Sequence, residues 1–225
     1  MSHTFEIEVK SLLGSKENAD ALRRKLLAKS PSPKLVGQGK QRNHYFNAPE
    51  SLAVLSGLSV LLPKEKLPAF EKILAEGKNV SIRTRDADGI VTFIIKASVG
   101  DDTSANGVKR IEFEAQVHKT LEELDEILRN IGLTYQAKWS REREEYAVRD
   151  FHITIDKNAG YGYLAEFEKV INDESGADAA RRELDALMVE LGCVELPQDR
   201  LERMFKFYNE HWPEYYGTDK VFLIE

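Results

Sequence analysis

The sequence predicts an α+β fold, with long antiparallel strands joined by hairpins into a sheet or barrel and amphipathic helices lying on its apolar face. Three observations predict it. Several segments alternate apolar and charged residues with the period of two that belongs to a strand, beginning with FEIEVK at residues 5–10. The turn signal DADG stands between two such segments, as a hairpin requires. Stretches with helical spacing and cap residues are interspersed among the strands rather than gathered at one end.

Taken in order, the first strand sets Phe5, Ile7 and Val9 against Glu6, Glu8 and Lys10. Ser15 is an N-cap for a helix running to about Lys29, with Ala19, Leu22, Leu26 and Leu27 on one stripe, and PSPK ends it. A strand is expected around His44–Phe46. Residues 49–79, apolar and bounded by prolines, read as two short helices with a turn at Pro63 or Pro68. Strands 80–86 and 90–97 flank DADG, and a Gly/Ser/Asp-rich loop, 98–107, precedes a strand at 108–117. Thr120 and Glu123 form a capping box that opens a helix ending at Gly132. Strands 138–149, 151–157 and 162–170 follow, then a helix over 175–192 stopped by Gly192. A last helix is expected at 198–210, before the aromatic segment HWPEYYG.

Bulk properties exclude several classes. The chain has 225 residues, 42% hydrophobic and 31% charged, a net charge of −6 and a pI near 5.5. That balance argues against extended nucleic-acid binding or adhesion to an anionic membrane, so any polyanion must be held by a local basic site. A single cysteine, Cys193, allows no internal disulfide and suits a reducing compartment. No apolar run approaches the roughly 20 residues of a membrane span, and the N-terminus carries no signal-peptide pattern. There is no repeat, low-complexity tract, Walker loop or Rossmann fingerprint. A cytoplasmic enzyme or binding protein is expected.

The charged faces of the strands repeat one design. Arg83 and Arg85 share a face, Lys96 closes an apolar strand, and Arg110, Glu112 and Glu114 oppose Ile111 and Phe113. Arg141 and Arg143 share a face, Asp156 opposes Phe151, Ile153 and Ile155, and Glu166 and Glu168 oppose Ala165 and Phe167. A solvated sheet face accounts for any one of these strands. The recurrence of ExE and RxR pairs over seven segments favours a closed or nearly closed barrel with a charged lumen and an apolar exterior under the helices. Seven acids (Glu6, Glu8, Glu112, Glu114, Asp156, Glu166, Glu168) then face seven bases (Lys10, Arg83, Arg85, Lys96, Arg110, Arg141, Arg143), and the empty lumen is near neutral. Carboxylates clustered without His or Cys are hard oxygen ligands for Mg²⁺ or Mn²⁺. Arginine forks match phosphate oxygens. A metal–polyphosphate complex would satisfy both sets.

With these residues laid out, the chain resembles the CYTH superfamily, the triphosphate tunnel metalloenzymes. Glu6-x-Glu8-x-Lys10 is similar to the ExExK signature. In the same order follow HYFN (44–47), Arg83-x-Arg85, Lys96, Arg110-x-Glu112-x-Glu114, Arg141-x-Arg143 ahead of Tyr146, Asp156, and Glu166-x-Glu168 after Gly160 and Gly162. The resemblance spans about residues 4–170 and implies an eight-stranded antiparallel β-tunnel acting on triphosphate-containing substrates. It implies that Glu6, Glu8, Asp156, Glu166 and Glu168 bind the catalytic metal, with Glu112 and Glu114 either joining that set or positioning the bases. Lys10, Arg83, Arg85, Lys96, Arg110, Arg141 and Arg143 match the lining that grips the triphosphate; Glu6, Glu8, Lys10, Arg83 and Arg143 are the residues expected to carry catalysis. The tunnel domain is expected to occupy 1–197, with 49–79 as an apolar helical insertion and 198–225 as an extension packed on the same domain.

Three functions are weighed: a metal-dependent triphosphate hydrolase, a class IV adenylyl cyclase, and a polyphosphate-binding module without turnover. The substrate is a triphosphate-containing small molecule, and no membrane partner is expected. The 49–79 insertion is expected to thicken the outer shell, cap a tunnel mouth or pack in a dimer interface, so a homodimer stays open. His44, His118, His152 and His211 match no ligand spacing and are read as structural or solvated, His152 alone sharing the face of Asp156. Cys193 is expected to be buried and inert. Leu201, Met204, Phe205 and Tyr208 form a packing stripe or a lid, and Tyr215 and Tyr216 are candidates for stacking on a base.

Overall fold

The structure is a computed structural model that describes residues 5–29, 33–98 and 110–225. Eight strands form one antiparallel sheet: β1 (Phe5–Gly14), β2 (Lys34–Phe46), β3 (Lys78–Ala87), β4 (Ile90–Ser98), β5 (Arg110–Gln116), β6 (Tyr135–Val148), β7 (Phe151–Asn158) and β8 (Gly162–Ile171). Their hydrogen-bonded order is β1-β8-β7-β6-β2-β3-β4-β5, a linear order with β1 and β5 at its ends. Five α-helices accompany them: α1 (Lys16–Leu27), α2 (Leu67–Glu76), α3 (Leu121–Asn130), α4 (Ala177–Leu191) and α5 (Gln198–Tyr215). The chain packs as two compact units, one of Met1–Lys40 with Ser140–Glu225 and one of Gln41–Trp139.

In the first unit the apolar faces of β1, β7 and β8 present Val9, Ile153, Ile155, Ala165 and Phe167. Against them pack Ala19, Leu22 and Leu26 of α1 and Leu184, Leu187, Met188 and Leu191 of α4. Each large side chain so buried contributes about 1.5–3 kcal/mol. Ser15 caps α1 by accepting from the backbone N–H of Asn18, as its position predicts. Leu27 corrects the expected stripe: it is 62% exposed, because α1 ends there and the i, i+4 row of Leu22 and Leu26 already faces the sheet. The final helix also runs further than expected, taking in HWPEY with Pro213 inside it. Proline removes one backbone hydrogen bond, but only in the last turn, and Tyr215 is held there against Phe207, Tyr208 and Phe222. Tyr215 is thus part of an aromatic cluster, and Leu201, Met204 and Tyr208 are core residues. Cys193 is half-buried beside this unit's core, and burial pushes its thiol up.

In the second unit β3 and β4 are joined by Asp88 and Gly89, both with positive φ (50° and 87°). This is the two-residue turn whose twist suits a hairpin, and an Asp-Gly pair tolerates it. The capping box of Thr120 and Glu123 is present in full. Phe46, Ile82, Phe93, Ile95 and Phe113 form the sheet side of the core, and Phe70, Ile73, Leu121, Leu124 and Leu128 cover them from α2 and α3. The 49–79 segment supplies a 3₁₀ stretch at Leu52–Leu61, breaks at Pro63 and restarts with Pro68 in the first turn of α2. Leu55, Leu58, Leu62, Phe70 and Ile73 are all buried, so the insertion packs on this unit's core. The loop expected at 98–107 falls, after Ser98, outside the described residues, as do Pro31 and Ser32 of PSPK.

Candidate functional site

Strand parity builds one charged face in each unit. In the first, β1 contributes Glu8 and Lys10, β8 Glu166 and Glu168, β7 His152, Thr154 and Asp156, and β6 Arg141, Arg143 and Glu145. The registers place Lys10 opposite Glu166, Glu8 opposite Glu168, Thr154 opposite Glu166 and Arg143 opposite Asp156. Arg143 donates through Nε to Oδ1 of Asp156 at 2.7 Å and through Nη2 to Oδ2 at 2.6 Å. The same Nη2 reaches Oε2 of Glu166 at 2.8 Å, and Arg141 Nη1 reaches Oδ2 of Asp156 at 3.2 Å. Lys10 lies 3.4 Å from Glu166 and is ion-paired with Glu8. An unbroken series of opposite charges therefore runs Arg141, Asp156, Arg143, Glu166, Lys10, Glu8.

Asp156 is 1% exposed, so its charge is tolerable only because two guanidiniums compensate it. Burial alone would raise the Glu166 carboxyl, but Lys10, Arg143 and Arg141 hold it below the usual carboxylate range. Burial works against the Arg143 cation, yet Asp156 and Glu166 raise its pKa overall. Both groups are charged at neutral pH.

In the second unit the face carries Asn43 and Tyr45 from β2, Arg83 and Arg85 from β3, Thr92, Ile94 and Lys96 from β4, and Glu112 and Glu114 from β5. Arg83 Nη1 donates to the Tyr45 hydroxyl at 2.8 Å, and Arg85 Nε donates to Oδ1 of Asn43 at 3.1 Å. Lys96 pairs with Glu112 at 3.1 Å, and Arg85 lies 3.8 Å from Glu114. Glu112 and Glu114 thus stand beside bases in this structure.

The twelve expected site residues whose side chains are described all lie on these two faces: Glu8, Lys10, Arg141, Arg143, Asp156, Glu166 and Glu168 on the first, Arg83, Arg85, Lys96, Glu112 and Glu114 on the second. Glu6 and Arg110 sit in β1 and β5, but their side chains lie outside the described ones. Sequence reasoning missed Thr154, Glu145 and Asn43 and, although HYFN contains Tyr45, gave that residue no role. Each could have been found by carrying strand parity one more pair along β7, β6 and β2.

For a cation, the relevant donors are the carboxylates. Among the described residues no three acidic, His or Cys side chains converge as a ready cage. Glu8 and Glu168 are nevertheless direct partners in the register of β1 and β8, Glu8 being ion-paired with Lys10. Two hard oxygen donors so placed fit a divalent cation.

A family model described as the CYTH domain matches residues 4–195. A curated relative, adenylate cyclase CyaB of Aeromonas hydrophila, is 27% identical over 188 residues, which covers 84% of this chain and 81% of that protein. The solved structure of PH1819 protein from Pyrococcus horikoshii is similar with a TM-score of 0.56 at 17% identity, covering 90% of this chain and 99% of its own. PH1012 protein from the same organism gives 0.55 at 16% identity, over 87% of this chain and 93% of its own. These two likenesses are of fold. The family match takes in all eight strands and four of the five α-helices of the described residues, together with both charged faces, and on that ground the chain belongs to the CYTH family.

Proposed function

We propose that this chain is a divalent-metal-dependent enzyme acting on a triphosphate-containing small molecule, with water attacking the terminal phosphate and the remainder of the chain of phosphates leaving. The observation that carries this reading is the juxtaposition on the first unit's face: two carboxylates, Glu8 and Glu168, are direct strand partners at the end of a continuous series of paired acids and bases that takes in Glu8. A lone polyanion would oppose the first, and a lone cation would oppose the second. A metal–triphosphate complex suits both.

Glu8 and Glu168, joined by Glu6 on the sequence pattern, would hold Mg²⁺ or Mn²⁺, which when bound neutralises phosphate oxygens and acidifies water. The chain's own cations do the rest. Lys10, Arg141 and Arg143 would donate to phosphate oxygens in exchange for their present carboxylates. A phosphate that takes Arg143 frees an oxygen of Asp156 or Glu166, so the family's assignment of those two acids to the metal set is compatible with their pairing here. On the second unit, Arg83, Arg85 and Lys96, and Arg110 by pattern, are the proposed phosphate ligands, Glu112 and Glu114 orienting Lys96 and Arg85. Charge spread over the equatorial oxygens in phosphoryl transfer is what such a cationic set stabilises. We place the activity in the cytoplasm, where a chain with one cysteine has no disulfide to lose.

A second reading is favoured by one specific observation, the name of the CyaB relative. In a cyclase the ribose 3′-oxygen attacks the α-phosphate and pyrophosphate leaves. The products separate the readings. Orthophosphate and pyrophosphate release are measured from tripolyphosphate and from ATP, each with Mg²⁺, with Mn²⁺ and with EDTA. Orthophosphate from tripolyphosphate, lost in EDTA, is the expected result. Pyrophosphate with cyclic AMP from ATP would establish the cyclase, and tight binding without turnover would leave a polyphosphate-binding module. Glu168→Gln is expected to abolish metal-dependent turnover with the fold intact; unchanged turnover removes Glu168 from the metal set.

A further inference from the structure

We infer that Tyr45 and Asn43 are positioning residues: neutral acceptors on β2 that set the guanidinium planes of Arg83 and Arg85 without adding a counter-charge of their own. The inference deepens the proposed function and rests on it.

The register makes the pairing deliberate. Tyr45 is the direct partner of Arg83, and Asn43 of Arg85, so each neutral side chain lies beside one arginine on the same face. Each uses an oxygen to accept from its arginine, at 2.8 Å and 3.1 Å. The Arg83 guanidinium also lies 5.6 Å from the centroid of the Tyr45 ring, whose electron-rich face attracts it. One tyrosine therefore restrains Arg83 twice.

Arg83 is unusual in what it lacks. Among the described residues no carboxylate approaches it, and its buried Nε makes no hydrogen bond. A buried donor left unsatisfied costs about 1–3 kcal/mol, and more when it is charged. An acceptor that arrives with negative charge removes that cost. A carboxylate in the place of the phenol would satisfy the guanidinium permanently and would then compete with phosphate. The phenol fixes direction without supplying a counter-charge.

The backbone behind this pair is pinned. His44 lies between Asn43 and Tyr45, and Thr84 between Arg83 and Arg85; both face the helices and both bond Asp125 of α3. His44 Nδ1 is 2.5 Å from Oδ2 of Asp125, Thr84 donates to Oδ1 at 2.6 Å, and Tyr135 donates to Oδ2 at 2.7 Å. Asp125, Thr84 and His44 are 3%, 0% and 2% exposed. One buried carboxylate thus ties β2 to β3 at the residues that alternate with the arginines and their acceptors. Pre-set geometry of this kind is what lets a guanidinium fork meet a phosphate without first being ordered.

The test is calorimetric binding of inorganic tripolyphosphate, in EDTA and again in Ca²⁺, to the wild type and to Tyr45→Phe, Asn43→Asp and Arg83→Ala, with thermal unfolding of each. Tyr45→Phe keeps the ring and removes the acceptor; binding about tenfold weaker with an unchanged unfolding midpoint is expected. Asn43→Asp keeps an oxygen beside Arg85 and adds charge; a purely structural asparagine predicts equal or better stability and unchanged binding, whereas weaker binding by about tenfold is expected here. Arg83→Ala binding like wild type, or a wild type that fails to bind under both conditions, would overturn the phosphate reading itself. Loss of binding in Arg83→Ala with wild-type affinity in both other variants would overturn the positioning role alone. Should Tyr45→Phe not fold, Asn43→Asp decides.

Discussion

Arg143 in the first unit is clasped by Asp156 at 2.7 and 2.6 Å and by Glu166 at 2.8 Å, while Arg83 in the second is held by one phenol. Both lie on charged strand faces, and both belong to i, i+2 arginine pairs. They differ in what surrounds them before any ligand arrives. Asp156 is sealed from water, so the first face must carry its own compensation to fold at all. On the second face Glu114 lies 3.8 Å from Arg85 and half-exposed Glu112 pairs with half-exposed Lys96 at 3.1 Å, and no described carboxylate pairs with Arg83. On the proposed function, the first face would exchange partners to bind, whereas Arg83 on the second would bind with no described carboxylate to give up. The same arginine motif is therefore tied into a buried ion-pair series in one place and, on the proposed function, would serve recognition in the other.

Cutting the arginines back tests this contrast most severely. Arg143→Ala strands a buried carboxylate with only Arg141 beside it, and a loss of about 3–5 kcal/mol in denaturant unfolding is expected. Arg83→Ala strands no acid and is expected to cost less than about 1 kcal/mol. Equal costs would erase the distinction. A smaller effect is expected from Asp125→Asn, about 2–3 kcal/mol, since an amide oxygen cannot accept from His44, Thr84 and Tyr135 as a carboxylate does. The acid limb sharpens this point. Burial would raise the Asp125 carboxyl, but His44, Thr84 and Tyr135 together hold it below the usual range. Its contribution is fully present above the unfolded pKa of about 3.9 and is lost as pH falls through the lower folded value. Wild-type stability should therefore fall more steeply than that of Asp125→Asn over that window, and parallel curves would deny Asp125 the role. The smallest effect belongs to the exposed pair: a double-mutant cycle on Lys96 and Glu112 should give less than about 1 kcal/mol, reduced further by salt.

Period-two alternation made both charged faces readable before any coordinates, because a strand leaves no freedom in which side a residue takes once its neighbours are buried. The Asp88–Gly89 turn and the Thr120 capping box were readable for a similar reason: each is set by residues within four positions. What escaped was long-range or neutral. β2 begins at Lys34, ten residues before the strand predicted around His44, because Gly37 and Gly39 weaken any strand signal there. Asn43 carries no charge and Tyr45 stands out only as part of HYFN, so neither announces a role beside an arginine. Asp125 sits in the helix pattern LEELDEILRN as one acid among several, and only its partners on β2, β3 and β6 show that it is buried. The grouping of residues 1–40 with 140–225 depends on pairing between strands far apart in the chain.

The turn before β8 has a consequence for how this chain is divisible. At Gly160, with φ of +79°, a Cβ would lie 2.8 Å from the Tyr208 ring and 2.9 Å from Phe222, and the Gly160 carbonyl accepts from the Phe222 amide at 2.9 Å. Gly160 falls inside the family-matched stretch, whereas Tyr208 and Phe222 lie beyond its end at residue 195. The tail is therefore not a detachable appendix: grafting it onto another family member, or trading it for a foreign one, would have to carry the glycine turn along, and the two segments must change together if they change at all.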